Sequence, residues 1–270
     1  MTLHAVTLAT SKIIAEVEDG IGWLRINQPE RRNAISLEMW QGLADATTAF
    51  ESDAAVRVVV MHGVGGRSFA AGADISEFEQ QRADAEQKRR YGEIAARGQN
   101  GLAQLSKPLI AMVQGYCIGG GMGIALQADV RFAAEGARFG IPAARLGLGY
   151  EYPGLAALAR LVGPSVAKDI LFSARQIEAA EALRIGLVNF VIAPDDLEAR
   201  VRDYAASIAA NAPLTIQAAK AAMRVFERYS QRDDDAQAVE ALVNRCFDSD
   251  DYREGRRAFM DKRTPQFKGR

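Results

Sequence analysis

Residues Lys107 to Asp129 read KPLIAMVQGYCIGGGMGIALQAD, an apolar run of strand character that enters three consecutive glycines, Gly119 to Gly121, and then a small-residue helix. Glycine at such a junction lets a ligand carbonyl come up to free backbone N–H groups. Upstream, Ser68 to Ile75 (SFAAGADI) makes a tight Ala/Gly turn after the apolar strand Val56 to Met61. Together the two segments predict a two-donor oxyanion site. Two N–H groups aimed at one oxygen stabilise charge that develops only during reaction, and losing one donor costs roughly 2.7–4 kcal/mol. Such a pair points to chemistry on a carbonyl or thioester. A glycine triplet also marks close helix–strand packing, so that reading stands beside the first. Phosphate cradling is disfavoured: the lysine of GxxxxGKS is missing and the spacing of GxGxxG is not met.

Outward from this stretch, short β-rich runs alternate with helical patterns over the first two-thirds, which predicts an α/β arrangement with crossover connections. Ile13 to Val17 and Gly22 to Ile26 flank Glu18-Asp19-Gly20, a hairpin signal. Ser36 reads as the N-cap of a helix to about Glu51. Ala83 to Leu105 reads as a charge-dense helix, and Leu109 to Val113, Val130 to Ala133 and the surroundings of Phe139 as strands. From Tyr152 onward helical periodicity dominates, with Leu187 to Ile192 as a strand. The expected division is 1–200, a core carrying the site, and 201–270, a helical oligomerisation region.

With 270 residues the chain can bury a full core. Lys and Arg number 33 against 34 Asp and Glu, and this balance, without a long basic run, argues against nucleic acid as a partner. Cys117 and Cys246 lie far apart, which fits a reducing, cytoplasmic setting rather than a disulfide framework. Histidine occurs twice: His4 in an N-terminus expected to fray, and His62 at the end of a buried strand. A histidine triad or a histidine-rich metal site is therefore not expected. The N-terminus lacks a secretory pattern, and the apolar stretch Leu109 to Ala128 is interrupted by Gly115 and the triplet, so no membrane partner is expected.

The order of PERRNAIS (29–36), SFAAGADI, KPLIAMVQGYCIGGG, Asp129, Phe139-Gly140-Ile141-Pro142, Gly147, Gly163, AAEALRIGLV (179–188) and AFMDKRTPQF (258–267) resembles the crotonase superfamily, the enoyl-CoA hydratase/isomerase family. The resemblance implies an α/β fold, a spiral of ββα turns with a helical C-terminal trimerisation region, assembled as a homotrimer or hexamer. It implies an acyl-CoA thioester as ligand, with coenzyme A as part of the substrate and no prosthetic group. By residue match, Ala71 and Gly120 would supply the oxyanion-hole N–H groups. Coenzyme A would lie near Arg31 to Ala34 and along Ala71, Gly72, Ala73 and Asp74, while Phe259 and Lys262 match tail positions that reach a neighbour's coenzyme A site. Arg31, Arg32 and Lys262 are cations suited to its phosphates.

Hydratases of this family hold water between two glutamates, at places that here carry Gly123 and Ala143. Positioned acid–base groups supply about 10²–10⁴-fold in rate, so the resemblance implies a member poorly equipped for hydration. Two residues in Leu146 to Gly154 (LGLGYEYPG) offer replacements. Glu151 resembles the catalytic carboxylate of dienoyl-CoA isomerases and would serve an enoyl-type proton shift, the leading expectation. Tyr150 resembles a tyrosine of methylmalonyl-CoA decarboxylase-like members and would orient a departing carboxylate. True hydration and simple acyl-CoA binding complete the alternatives.

Overall fold

A computed structural model describes residues 3–74, 85–150, 152–228, 244 and 247–266. Eleven strands, eight α-helices and two short 3₁₀ helices (Pro29–Arg31 and Pro142–Leu146) are defined among them. Strand β1 (Leu3–Val6) is followed by β2 (Ile13–Glu18), β3 (Ile21–Ile26), helix α1 (Leu37–Ser52), β4 (Val58–Gly63) and β5 (Ser68–Ala70). Next come α2 (Ala85–Gln104), β6 (Leu109–Val113), β7 (Tyr116–Ile118), α3 (Gly120–Ala125), β8 (Val130–Ala134), β9 (Arg138–Gly140) and α4 (Tyr152–Ser173). The chain continues through β10 (Ile177–Glu178), α5 (Ala179–Arg184), β11 (Phe190–Ile192), α6 (Leu197–Ala209), α7 (Pro213–Arg228) and α8 (Asp250–Met260).

Two sheets share these strands: a seven-stranded sheet in the order β1-β2-β3-β4-β6-β8-β11, and a four-stranded sheet in the order β10-β9-β7-β5. Consecutive strands alternate between them, β4 then β5, β6 then β7, β8 then β9. Each such pair is one turn of a spiral, and the pairings β4 with β6, β6 with β8, β5 with β7 and β7 with β9 are all parallel. The mixed α/β architecture expected from sequence is the one observed. The opening β2–β3 hairpin turns at Asp19 (φ 50°) and Gly20 (φ 85°), the left-handed pair that an Asp-Gly turn favours.

Uninterrupted apolar strands follow from covering on both faces. In β6, Leu109, Ala111 and Val113 join the main core, whereas Ile110 and Met112 join a second core under α6. β4 divides in the same way, Val59 and Met61 against Val58 and Val60. Leu197, Val201 and Ala205 of α6 complete the second core, so the expected boundary at 200/201 cuts through a helix that belongs to the sheet. The N-terminus also differs from expectation: β1 pairs antiparallel with β2, and His4 Nε2 lies 2.9 Å from Asp53 Oδ2.

Ser36 stands at the N-cap position of α1 as expected, and α4 is broken into two helical stretches at Gly163 (φ 78°), ahead of Pro164. The three-residue strands β5 and β7, and α8, had no sequence signal strong enough to be assigned. Most of residues 236–247, where the helical periodicity of the C-terminal third continues, and the residue Cys246 lie outside the described residues, whereas Cys117 is buried in β7. Among the described residues no helix is long and apolar enough to cross a membrane.

Candidate active site

A cleft of about 360 Å³ is lined by the end of β5, the turn from β7 into α3, the segments 141–150 and 153–154, one face of α2, Trp40 of α1, and Phe247 and Phe259 at α8. Each glycine of the triplet has its own cause. Gly119 has φ 54° and ψ −116°, a conformation closed to other residues. A Cβ on Gly121 would fall 2.1 Å from the Ala70 carbonyl oxygen, so bare backbone there lets α3 lie against β5. Gly120 faces the cleft, and its Cβ would stand 3.5 Å from the Ala73 nitrogen. Gly121 serves the packing, and Gly120 faces the cleft where a donor is expected.

The second donor is not where the sequence reading put it. Ala71 N–H already donates to the Arg32 carbonyl at 3.1 Å, so it is not the free group expected. Beyond it, Gly72 (φ 109°) reverses the chain's alternation, and a parallel bridge joins Ile35 to Ala73. Ile35 N–H donates to Gly72 O at 2.8 Å and Asp74 N–H to Ile35 O at 2.9 Å. Successive N–H groups of extended chain point to opposite sides. With Asp74 turned toward Ile35, Ala73 N–H points away, toward Gly120. Among the described residues it has no hydrogen-bond partner. Ala73, expected only as a coenzyme A neighbour, is the donor the geometry offers.

Tyr150 reaches the same place from across the cleft. Its hydroxyl donates to Gly119 O at 3.1 Å and stands 3.3 Å from where a Cβ on Gly123 would be. Gly154 makes room for the ring, since a Cβ there would lie 2.9 Å from Tyr150 Cε1. Burial of the hydroxyl, with a smaller effect from the nearby Cys117 thiol, pushes the Tyr150 pKa up to about 12. The phenol is therefore a neutral hydrogen-bond donor at physiological pH. Burial raises the Cys117 thiol too, which keeps it un-ionised and unreactive.

Gly123 and Ala143 both line the cleft, and the space beside Gly123 is filled by Tyr150. Among the described lining residues none is Asp, Glu, Lys, Arg or His; the polar side chains are Trp40, Tyr91, Gln99, Gln127 and Tyr150. Glu151 lies outside the described residues. His62 is far from this chemistry: it sits at the end of β4, edge-on to Trp23, with its pKa lowered by burial.

The expected coenzyme A residues gather beside the Ala73 segment. Arg31 Nη1 donates to Asp74 Oδ2 at 2.8 Å, with the arginine half-exposed and the aspartate buried. Ala34 N–H closes the turn on Arg31 O. Asn33, which the sequence reading passed over, pins this turn: its Oδ1 accepts from Gln28 N–H, and its Nδ2 donates to Val64 O and Ser68 O. Its left-handed φ of 56°, tolerated best by Asn, was the available signal.

Helix α8 packs on the 142–147 turn of its own chain, where Cβ atoms on Gly255 and Gly147 would strike Leu146 O and Asp251 O at 2.3 and 2.7 Å. Phe247 and Phe259 line the cleft of the chain that carries them. Lys262 is exposed just beyond, with φ 54°.

A family model described as Enoyl-CoA hydratase/isomerase matches residues 16–270. The chain belongs to the enoyl-CoA hydratase/isomerase family. Among curated members, the crotonyl-CoA hydratase of Syntrophomonas wolfei is 37% identical over 261 residues, covering 96% of this chain and 99% of that protein. An enoyl-CoA hydratase/carnitine racemase from Magnetospirillum magneticum has a solved structure with TM-score 0.80 and 35% identity, covering 97% of each chain. A methylmalonyl-CoA decarboxylase in complex with 2-nitronate-propionyl-CoA superposes with TM-score 0.88 at 26% identity, over 97% of this chain and 100% of that one. The spiral of paired strands is thus the crotonase fold, and the protein is an acyl-CoA enzyme of this family.

Proposed function

We propose that the protein generates the enolate of an acyl-CoA thioester by releasing carbon dioxide from a malonyl-type substrate. The Ala73 and Gly120 N–H groups receive the thioester oxygen, and the Tyr150 hydroxyl, rotating its proton from Gly119 O to the substrate, orients the departing carboxylate. The bond between the α-carbon and the carboxylate breaks, and its electron pair passes into the enolate. The carboxylate leaves as CO₂, and water returns a proton to the α-carbon. No base is needed for the first step, and no prosthetic group. Coenzyme A enters as part of the substrate.

One observation carries this reading: the described cleft lining holds no Asp, Glu, Lys, Arg or His, and a neutral tyrosine hydroxyl is fixed 3.1 Å from Gly119 O beside the donors. An uncharged cleft solvates a compact carboxylate poorly. It tolerates better a charge spread over an enolate and shared by two N–H groups, which lowers the barrier to CO₂ loss. The likeness to a methylmalonyl-CoA decarboxylase adds support. Exposed Phe172, Leu183, Leu214 and Met223 support the accompanying proposal that copies associate as trimers or hexamers.

The discriminating experiment offers the purified protein malonyl-CoA and 2-alkylmalonyl-CoA while CO₂ is measured, and enoyl-CoA in deuterated water while exchange at the acyl chain is followed. Release of CO₂ that falls about 100-fold in Tyr150→Phe supports the proposal. Exchange without CO₂ release, abolished by Glu151→Gln, would move the chemistry to a proton shift at Glu151 with the same two donors. Rapid water addition to crotonyl-CoA would overturn both.

A further inference from the structure

Past the donor end the cleft continues along α2, and three glycines of that helix differ in what surrounds them. A Cβ on Gly98 would lie 2.7 Å from the Trp40 carbonyl oxygen, and one on Gly101 would lie 2.3 Å from Thr47 Oγ1. Close packing on α1 accounts for both. Gly92 lines the cleft, yet among the described residues nothing lies within 4 Å of a Cβ placed there. Glycine inside a helix is about 0.8–1.0 kcal/mol less favourable than alanine. At Gly92 the missing side chain relieves no clash with a described residue; among the described residues, what it leaves is space.

That space has a defined outline. Ala95 and Gln99, three and seven positions on, continue the same helix face into the cleft. Trp40 and Tyr91 close the limb as a fixed pair, Trp40 Nε1 donating to Tyr91 Oη at 3.1 Å with both residues buried. From Gly92 to Gln99 the wall runs two helical turns, about 10 Å, which is longer than a four-carbon acyl group. No charged side chain is among the described residues lining it. A charged acyl terminus would be desolvated there without a partner, at a cost of several kcal/mol.

We propose that Gly92 sets the size of the acyl group accepted, and that the natural thioester carries an uncharged, largely apolar acyl substituent of more than four carbons lying along α2. The inference rests on the acyl-CoA reading above and not on its decarboxylation step. Each buried methylene contributes about 0.8 kcal/mol, or roughly fourfold in affinity, until the limb is filled.

The test uses unreactive S-alkyl-CoA thioethers with ethyl, butyl and octyl chains, titrated calorimetrically into the parent protein, Gly92→Ala and Gly92→Leu. The parent is expected to bind the octyl thioether at least about 50-fold more tightly than the ethyl. Gly92→Leu should lose about 100-fold for octyl while ethyl stays within about threefold, and Gly92→Ala should fall between. Melting temperatures of both variants should equal or exceed the parent's, because Ala and Leu are better helix formers than Gly. Equal parent affinity for ethyl and octyl, or an octyl preference left intact in Gly92→Leu, overturns the inference. Failure of the parent to bind any thioether would overturn the acyl-CoA reading with it. The expected length dependence without CO₂ release from any malonyl-type thioester would uphold the inference and remove only the proposed reaction.

Discussion

Behind the donor end of the cleft, at Gly121, the backbone leaves no room for change, whereas at Gly92 of α2 it leaves a good deal among the described residues. A Cβ on Gly121 would sit 2.1 Å from the Ala70 carbonyl oxygen, while one on Gly92 meets none of the described residues within 4 Å. The first region is fixed by contact between main chains, β5 against the start of α3. The second is fixed by side chains, Trp40 and Tyr91, and by the omission of one. Chemistry needs its N–H groups held to a fraction of an ångström, so it belongs on the rigid side. Selection of the acyl group needs only volume, which one residue can alter without disturbing the donors.

The sharpest way to break this contrast is Gly121→Ala. Its Cβ would strike backbone that cannot step aside, and destabilisation by about 3 kcal/mol or more is expected in urea titration, with activity lost. A variant as stable and active as the parent would show that the donor end is softer than described. Tyr150→Phe comes next: about 100-fold in kcat, with a melting temperature close to the parent's, separates a role in reaction from a role in packing.

Alkaline pH sharpens the same point. The Tyr150 pKa is raised to about 12, above the value near 10 of a free phenol. Below pH 10 the group is protonated both folded and unfolded, so its contribution is fully present. As pH climbs from 10 toward 12 the unfolded chain releases the proton first, and stability falls. Tyr150→Phe should therefore resist alkaline unfolding better than the parent between pH 10 and 12. The Tyr150-dependent rate should stay flat from pH 6 to 10.

The smallest effect is expected outside both regions. Arg31→Ala removes an ion pair to Asp74 whose arginine side chain is 56% exposed, and should cost less than about 1 kcal/mol in stability. If Arg31 meets a coenzyme A phosphate, affinity for free coenzyme A should fall several-fold and the loss should shrink in high salt.

Elements with strong periodicity or unmistakable turn chemistry were readable from residues alone: the Asp19-Gly20 hairpin, the apolar strands β4 and β6, the start of α1 at Ser36. β5 and β7 were not, because three residues carry too little pattern, and their existence depends on each other and on β9. The donor position failed for a related reason. In SFAAGAD, Ala71 and Ala73 are equivalent as letters, and what separates them is a reversal at Gly72 and a bridge to Ile35, thirty-eight positions earlier in the chain. Tyr150 could be nominated from its loop, but its aim into the cleft follows from two distant glycines, Gly123 and Gly154, that admit its hydroxyl and ring. Gly92 was legible only in retrospect, as the start of a small-residue spacing, 92, 95, 96, on an otherwise charged helix.

The central claim is most directly tested by a crystal structure with an unreactive acyl-CoA analogue whose oxygen mimics the enolate. The analogue oxygen should lie about 3 Å from both the Ala73 and the Gly120 nitrogens, with Ala71 N–H still bonded to Arg32. An oxygen held instead by Ala71, or turned away from Gly120, would contradict the account.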